Sequence, residues 1–130
     1  MRWLVPYVVA LVTLAGADFL WLGVVAKGFV QRELGPLLLP QPNWPAAALF
    51  YVLYPVALLV FAVPHAQSAG PGRAMLYGAL FGFFAYATYD LTNLATLKGW
   101  SVAFAAVDVA WGTLLSAAAS GLAAWALSRV

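Results

Sequence analysis

The chain has 130 residues, 65% of them hydrophobic and 8% charged, with a formal net charge of +2 and no cysteine, and its mean hydropathy is +0.93. So few polar side chains cannot cover a soluble globule, and so few charges do not make a nucleic-acid surface. Without cysteine there are no disulfides, no thiol redox chemistry, no iron–sulfur ligation and no Cys nucleophile, and with His65 as the one histidine no His-based metal site forms within one chain.

These properties describe one integral membrane domain over residues 1–130. Four apolar stretches, at about 3–26, 45–63, 73–97 and 101–127, each approach the roughly 20 residues a bilayer-crossing helix needs. They predict an all-α, four-transmembrane-helix bundle running up-down-up-down.

The first stretch opens at Trp3, an interfacial residue by type. Its Arg2, the apolar run to Leu14 and the small triplet Ala15-Gly16-Ala17 resemble a cleavable secretory signal. The apolar run continues through Phe19, Trp21 and Val25, however, and roughly 24 residues make a retained span. Its one acid is Asp18. Between Lys27 and Trp44, three prolines and Gln31, Arg32 and Glu33 alternate with Phe29, Val30, Leu34 and Leu37 to Leu39. That mixture predicts a short interfacial helix placed to cover whatever opens on that side.

Asn43, Trp44 and Pro45 predict the start of the second helix, with Asn43 as its cap. Pro55 interrupts its backbone ladder beside Tyr51 and Tyr54, and Pro64 ends it. His65 falls in the next loop, which carries the turn formers Gly70, Pro71 and Gly72. In the third helix Gly78, Gly82, Tyr86, Asp90 and Asn93 recur at steps of four, four, four and three, so they share one face. The first half of that face suits close packing and the second half is polar, with Thr88, Thr92 and Thr96 adding hydroxyls to the same third of the helix. After Lys98-Gly99, Ser101 caps a fourth helix in which Asp108, Gly112, Ser116 and Ser120 also recur at steps of four. In an antiparallel hairpin Ser116 and Ser120 reach the depth of Gly78 and Gly82, and Asp108 that of Asp90, leaving the hairpin tight at one membrane face and open at the other.

At 1.5 Å per residue, Asp18, Asp90 and Asp108 lie roughly 12, 10 and 10 Å from helix ends on the same side of the membrane, and Tyr51 and Tyr54 roughly 9 and 13 Å. One polar layer about a third of the way through the bilayer results. A central Asp costs roughly 2.5 to 3.5 kcal/mol to insert, whereas polar glue returns only about 0.6 kcal/mol per contact. A functional pocket is the better account of Asp18, Tyr51, Tyr54, Tyr86, Asp90, Asn93, Asp108 and Trp111. Gly78, Gly82, Gly112, Ser116 and Ser120 are helix-packing positions. Asp18-x-x-Trp21 and Asp108-x-x-Trp111 echo each other, with acid and indole on one helical face. Trp3, Trp44, Trp100 and Trp125 read as interface anchors.

The motifs Phe50-Tyr51-x-x-Tyr54-Pro55, Tyr86-Ala-Thr-Tyr89-Asp90-Leu-Thr-Asn93-Leu-Ala-Thr-Leu-Lys98-x-Trp100 and Asp108-x-x-Trp111-Gly112, with Asp18-x-x-Trp21-x-Gly23 before them, run through nearly the whole chain. Together they resemble a bacterial family of predicted four-helix membrane proteins catalogued as a domain of unknown function. The resemblance implies a bacterial cytoplasmic (inner) membrane protein whose signature is these polar residues, and it leaves both the activity and any cofactor open. Arg2, Arg73 and Arg129 balance Lys27, Arg32 and Lys98 across the membrane. The short basic termini and the acidic residue on the opposite side favour cytoplasmic termini, with the pocket on the outer side.

Three function classes fit: binding or transport of a small polar or cationic solute or a proton-linked ligand, a membrane enzyme acting on lipid or isoprenoid, and an accessory subunit. No Gly-rich phosphate loop, Ser-His arrangement or paired-acid metal motif supports catalysis, so binding or transport ranks first. The expected partners are membrane lipids and, for transport, further copies of this chain.

Overall fold

The computed structural model describes residues 2–130. Helix α1 spans Leu4–Leu20 and continues as a π-helical turn, Trp21–Val25, closed by the Ala26 amide on the Trp21 carbonyl at 2.7 Å. The uninterrupted first helix expected from the sequence is thus correct in extent but not in geometry. A π turn adds a residue to one turn and so rotates the side chains on its two sides relative to each other about the helix axis. Helix α2, Lys27–Leu34, and a 3-10 turn at Gly35–Leu37 occupy the first connection.

Helix α3 spans Trp44–Phe61, capped by Asn43, whose side chain accepts from the Ala46 amide at 3.2 Å. It runs unbroken through Pro55, which is buried. Pro55 has no N–H for the Tyr51 carbonyl, and the next carbonyl, Val52, accepts from the Tyr7 hydroxyl at 2.8 Å. A 3-10 turn, Val63–His65, and a single helical turn, α4 (Ala66–Ala69), come after it. The loop expected there shrinks to Gly70, whose φ of 84° supplies the reversal. His65 is in the 3-10 turn and stacks flat on Tyr77, with ring centroids 3.6 Å apart.

Helices α5 (Pro71–Thr96) and α6 (Val102–Leu127) form the most extensive pairing in the molecule. Ser101 caps α6, accepting from the Phe104 amide at 3.0 Å, and its hydroxyl donates to Glu33 of α2. Small residues set the hairpin's separation. A Cβ on Gly78 would lie 2.6 Å from the Ser116 carbonyl oxygen, and one on Gly82 would lie 2.5 Å from that of Gly112. A Cβ on Gly112 would run into the Tyr86 ring. Gly78 therefore opposes Ser120, Gly82 opposes Ser116, and Tyr86 opposes Gly112, one antiparallel register along the pair.

A second face of α6, carrying Ala119, Ala123 and Leu127, packs on Ala10 and Leu14 of α1 and on Leu58 and Val63. Helix α3 leans mainly on α1 and touches α5 and α6 less. The outward surface is apolar, with Val12, Leu49, Phe84 and Leu114 among its exposed side chains. Among the described residues, three helical segments are long and apolar enough to cross a membrane: Leu4–Val25, Trp44–Ala69 and Val102–Leu127. Helix α5 has the length, 26 residues, but its arginine, three threonines, aspartate and asparagine lower its apolarity.

Candidate functional site

Where α1, α3 and the α5–α6 hairpin diverge, they enclose a cavity of about 490 Å³. Seven aromatic side chains line it, Trp21, Phe50, Tyr54, Tyr86, Tyr89, Phe104 and Trp111, together with Asp18, Asp108, Leu22 and Ala85. Both helices of the hairpin contribute to the lining at this end, Ala85, Tyr86 and Tyr89 from α5 and Phe104, Asp108 and Trp111 from α6. The register set by Gly78, Gly82 and Gly112 continues to place Asp90 opposite Asp108, and α1 and α3 complete the lining with Asp18, Trp21, Leu22, Phe50 and Tyr54.

Asp18 is buried, and its carboxylate is fully engaged. Oδ1 accepts from the Trp111 indole N–H at 2.7 Å and Oδ2 from the Tyr51 hydroxyl at 2.6 Å. Three helices are tied through one side chain. The Asp-x-x-Trp echo therefore works across helices: the indole of α6 serves the acid of α1, and Trp21 stacks on Trp111 with centroids 4.5 Å apart and planes 7° from parallel. The π turn is the local element that carries Trp21 into this stack.

Tyr54 closes the cavity toward the packed end. Its hydroxyl shares a 2.6 Å hydrogen bond with Ser116 Oγ, so Ser116 both packs against Gly82 and orients a wall residue. Tyr86 packs over Gly112, which has no side chain to push the ring away.

Asp108 is half-buried on the cavity wall, with its carboxyl beside that of Asp90, within hydrogen-bonding reach. Asp90 is fully buried behind it, accepting at Oδ1 from the Trp100 indole N–H at 3.4 Å. Its Oδ2 has no N–H or O–H donor among the described residues. Two unit charges about 4 Å apart would repel by about 4 kcal/mol at an effective dielectric of 20.

The expected site residues thus separate into three groups. Asp18, Tyr54, Tyr86, Asp108 and Trp111 line the cavity, and Tyr51 stands behind Asp18 as its donor. Asp90 lines a shallower, otherwise apolar groove of about 340 Å³ on the far side of the hairpin. Asn93 lines neither space. Thr88, Thr92 and Thr96 are exposed and donate to carbonyls one turn earlier on their own helix, so they add nothing to the pocket. Trp100, expected as an interface anchor, serves Asp90 instead. Tyr89, Phe50 and Phe104 are cavity residues that the spacing of polar groups did not single out, because their contribution is a ring face.

No group of three His, Cys, Asp or Glu residues among the described residues is arranged to hold a metal ion. Asp18 and Asp108 line the cavity, whereas Asp90 does not. The cavity offers carboxyl charge and aromatic faces and no basic side chain. Such a lining attracts positive charge, both through the carboxyls and through the negative faces of the rings.

No curated protein and no solved structure matches the chain. A family model does, over residues 3–125, and its description reads "Predicted membrane protein (DUF2177)". The match covers both tryptophans of the stack and all three aspartates, and it reaches from α1 into the last turns of α6. The chain belongs to the DUF2177 family of predicted membrane proteins.

Proposed function

We propose that this protein binds a small organic cation in its aromatic cavity, as a carrier or receptor for that solute in the membrane. The observation behind this reading is the lining itself: seven aromatic rings and two carboxyls, with no lysine, arginine or histidine. A desolvated cation over an aromatic face gains about 2 kcal/mol from each well-placed ring. Asp108 supplies the counter-charge, since the Asp18 oxygens already hold two donors. Asp18 adds long-range attraction and fixes Trp111, whose ring the solute would meet.

The reading includes α5 as a fourth span, giving a four-helix up-down-up-down bundle. Its exposed residues include Leu76, Leu80, Phe83, Phe84 and Leu91 beside Thr88, Thr92 and Thr96, whose hydroxyls bond their own helix, while Asp90 is buried, an arrangement compatible with a lipid-facing helix. Both termini are assigned to the cytoplasmic side of a bacterial inner membrane, with the cavity toward the outer leaflet. Four helices enclose a binding chamber but are few for a complete crossing, so transport by this chain would use a homo-oligomer in contact with membrane lipid.

The test is a titration of the purified protein in lipid nanodiscs with benzyltrimethylammonium, read by intrinsic tryptophan fluorescence, to which Trp21 and Trp111 of the cavity contribute. Neopentylbenzene, its uncharged carbon isostere, serves as the control. The cation is expected to bind at least about tenfold more tightly, a difference of about 1.4 kcal/mol, and Asp108→Asn to remove that preference. Equal affinity for the two ligands would overturn the assignment.

A further inference from the structure

The carboxyl pair behind the cavity wall suggests how occupancy is coupled to a second ion. We infer that Asp90 and Asp108 hold one proton between them in the empty protein, and that a cation entering the cavity at Asp108 displaces it. This inference rests on the cation-binding reading and adds an exchange to it.

The geometry supports it from both sides of the pair. Asp90 is buried, and Trp100 serves one of its oxygens at 3.4 Å while the other has no donor among the described residues; the hairpin register places Asp108 opposite it. Asp108, in contrast, reaches the cavity. The titratable groups that line the cavity with Asp108 are Asp18 from α1, Tyr54 from α3 and Tyr86 and Tyr89 from α5. None is basic, so no side chain there can provide the positive charge that offsets two facing carboxylates. A proton does so when the cavity is empty, and the cation does so when it is filled.

The exchange balances. The O–H bond within the pair breaks, the proton leaves through the cavity mouth to water, and the cation takes its place against the Asp108 carboxylate. The site carries the same net charge before and after. The groove on the other side of Asp90 is lined by apolar residues such as Phe83, Leu94 and Val109, which leaves the main cavity as the polar exit.

A quaternary ammonium has no N–H, so any proton counted on binding comes from the protein. Benzyltrimethylammonium is titrated calorimetrically into the nanodisc-embedded protein near neutral pH, in two buffers of different ionisation enthalpy. The difference in heat gives the protons released, and about one per bound cation is expected. Asp90→Asn puts an amide donor against Asp108 and leaves it ionised, so that variant should release none and lose the pH dependence of its affinity. Binding to the native protein with identical heats in both buffers would overturn the exchange and leave the cation site standing. Proton release that persists in Asp90→Asn would also overturn it. Failure of the native protein to bind the cation at all would overturn both readings. The two-buffer measurement on the native chain decides the matter even if the variant does not fold.

Discussion

Trp111 on α6 donates its indole N–H to Asp18 on α1 at 2.7 Å across 93 residues of sequence, while Tyr51 on α3 donates to the second oxygen at 2.6 Å. One buried carboxylate is therefore a three-helix junction. In Asp18→Asn the amide offers one acceptor where two donors converge, so one donor is left facing another. A loss of about 1–3 kcal/mol is expected, the penalty for a stranded buried polar group. Thermal unfolding in detergent checks it, with Trp21→Phe as comparison: that change weakens the Trp21–Trp111 stack but keeps the hydrogen bonds, and should cost less.

The hairpin register makes a sharp contrast between glycines of the same helical type. Gly112→Ala places a methyl group in the Tyr86 ring, which must move and disturb the cavity wall; overpacking of this kind costs about 1–3 kcal/mol. Gly16→Ala meets nothing within 4 Å and is expected to be neutral or to stabilise by up to about 1 kcal/mol through helix propensity. Melting temperatures of the two single variants decide this, and similar destabilisation by both would contradict the close approach at Gly112.

Two serines one turn apart are expected to respond with opposite sign. Ser116 bonds the Tyr54 hydroxyl at 2.6 Å, and Ser116→Ala should cost about 0.6 kcal/mol, up to about 1.7, as membrane-embedded hydrogen bonds do. Ser120 Oγ is buried without a partner among the described residues, so Ser120→Ala removes an unmet hydrogen bond and should stabilise by up to about 1 kcal/mol. A double-mutant cycle of Ser116→Ala with Tyr54→Phe isolates the first contact; coupling indistinguishable from zero would remove it as a wall-positioning bond.

Ser101 joins two tasks that substitution can separate. It caps α6 through the Phe104 amide at 3.0 Å and holds α2 through Glu33. Ser101→Ala should cost about 1 kcal/mol through the lost cap and also free α2. Ser101→Asp keeps a good cap but repels Glu33. Hydrogen exchange in Lys27–Leu34 should rise in both variants, while only Ser101→Ala lowers the melting temperature appreciably. Unchanged exchange in the Asp variant would show that Glu33 does not anchor α2.

What the residues alone determined was largely one-dimensional. The apolar runs marked the helices to within a few residues, Asn43 and Ser101 marked two helix starts, and the four-residue steps of Gly78, Gly82, Ser116 and Ser120 carried the hairpin register. These properties depend on periodicity within a helix or within one short hairpin, where backbone geometry leaves little choice. Only the tertiary structure decided which faces met. Trp111 lies one turn from Asp108 on its own helix yet serves Asp18, Trp100 turns in to Asp90, Thr88, Thr92 and Thr96 bond their own backbone, and Asp90 stands behind the cavity wall. A helix's sequence sets which side chains share a face. Its rotation about its own axis is settled by packing against several neighbours at once, and here also by the π turn at Trp21–Val25.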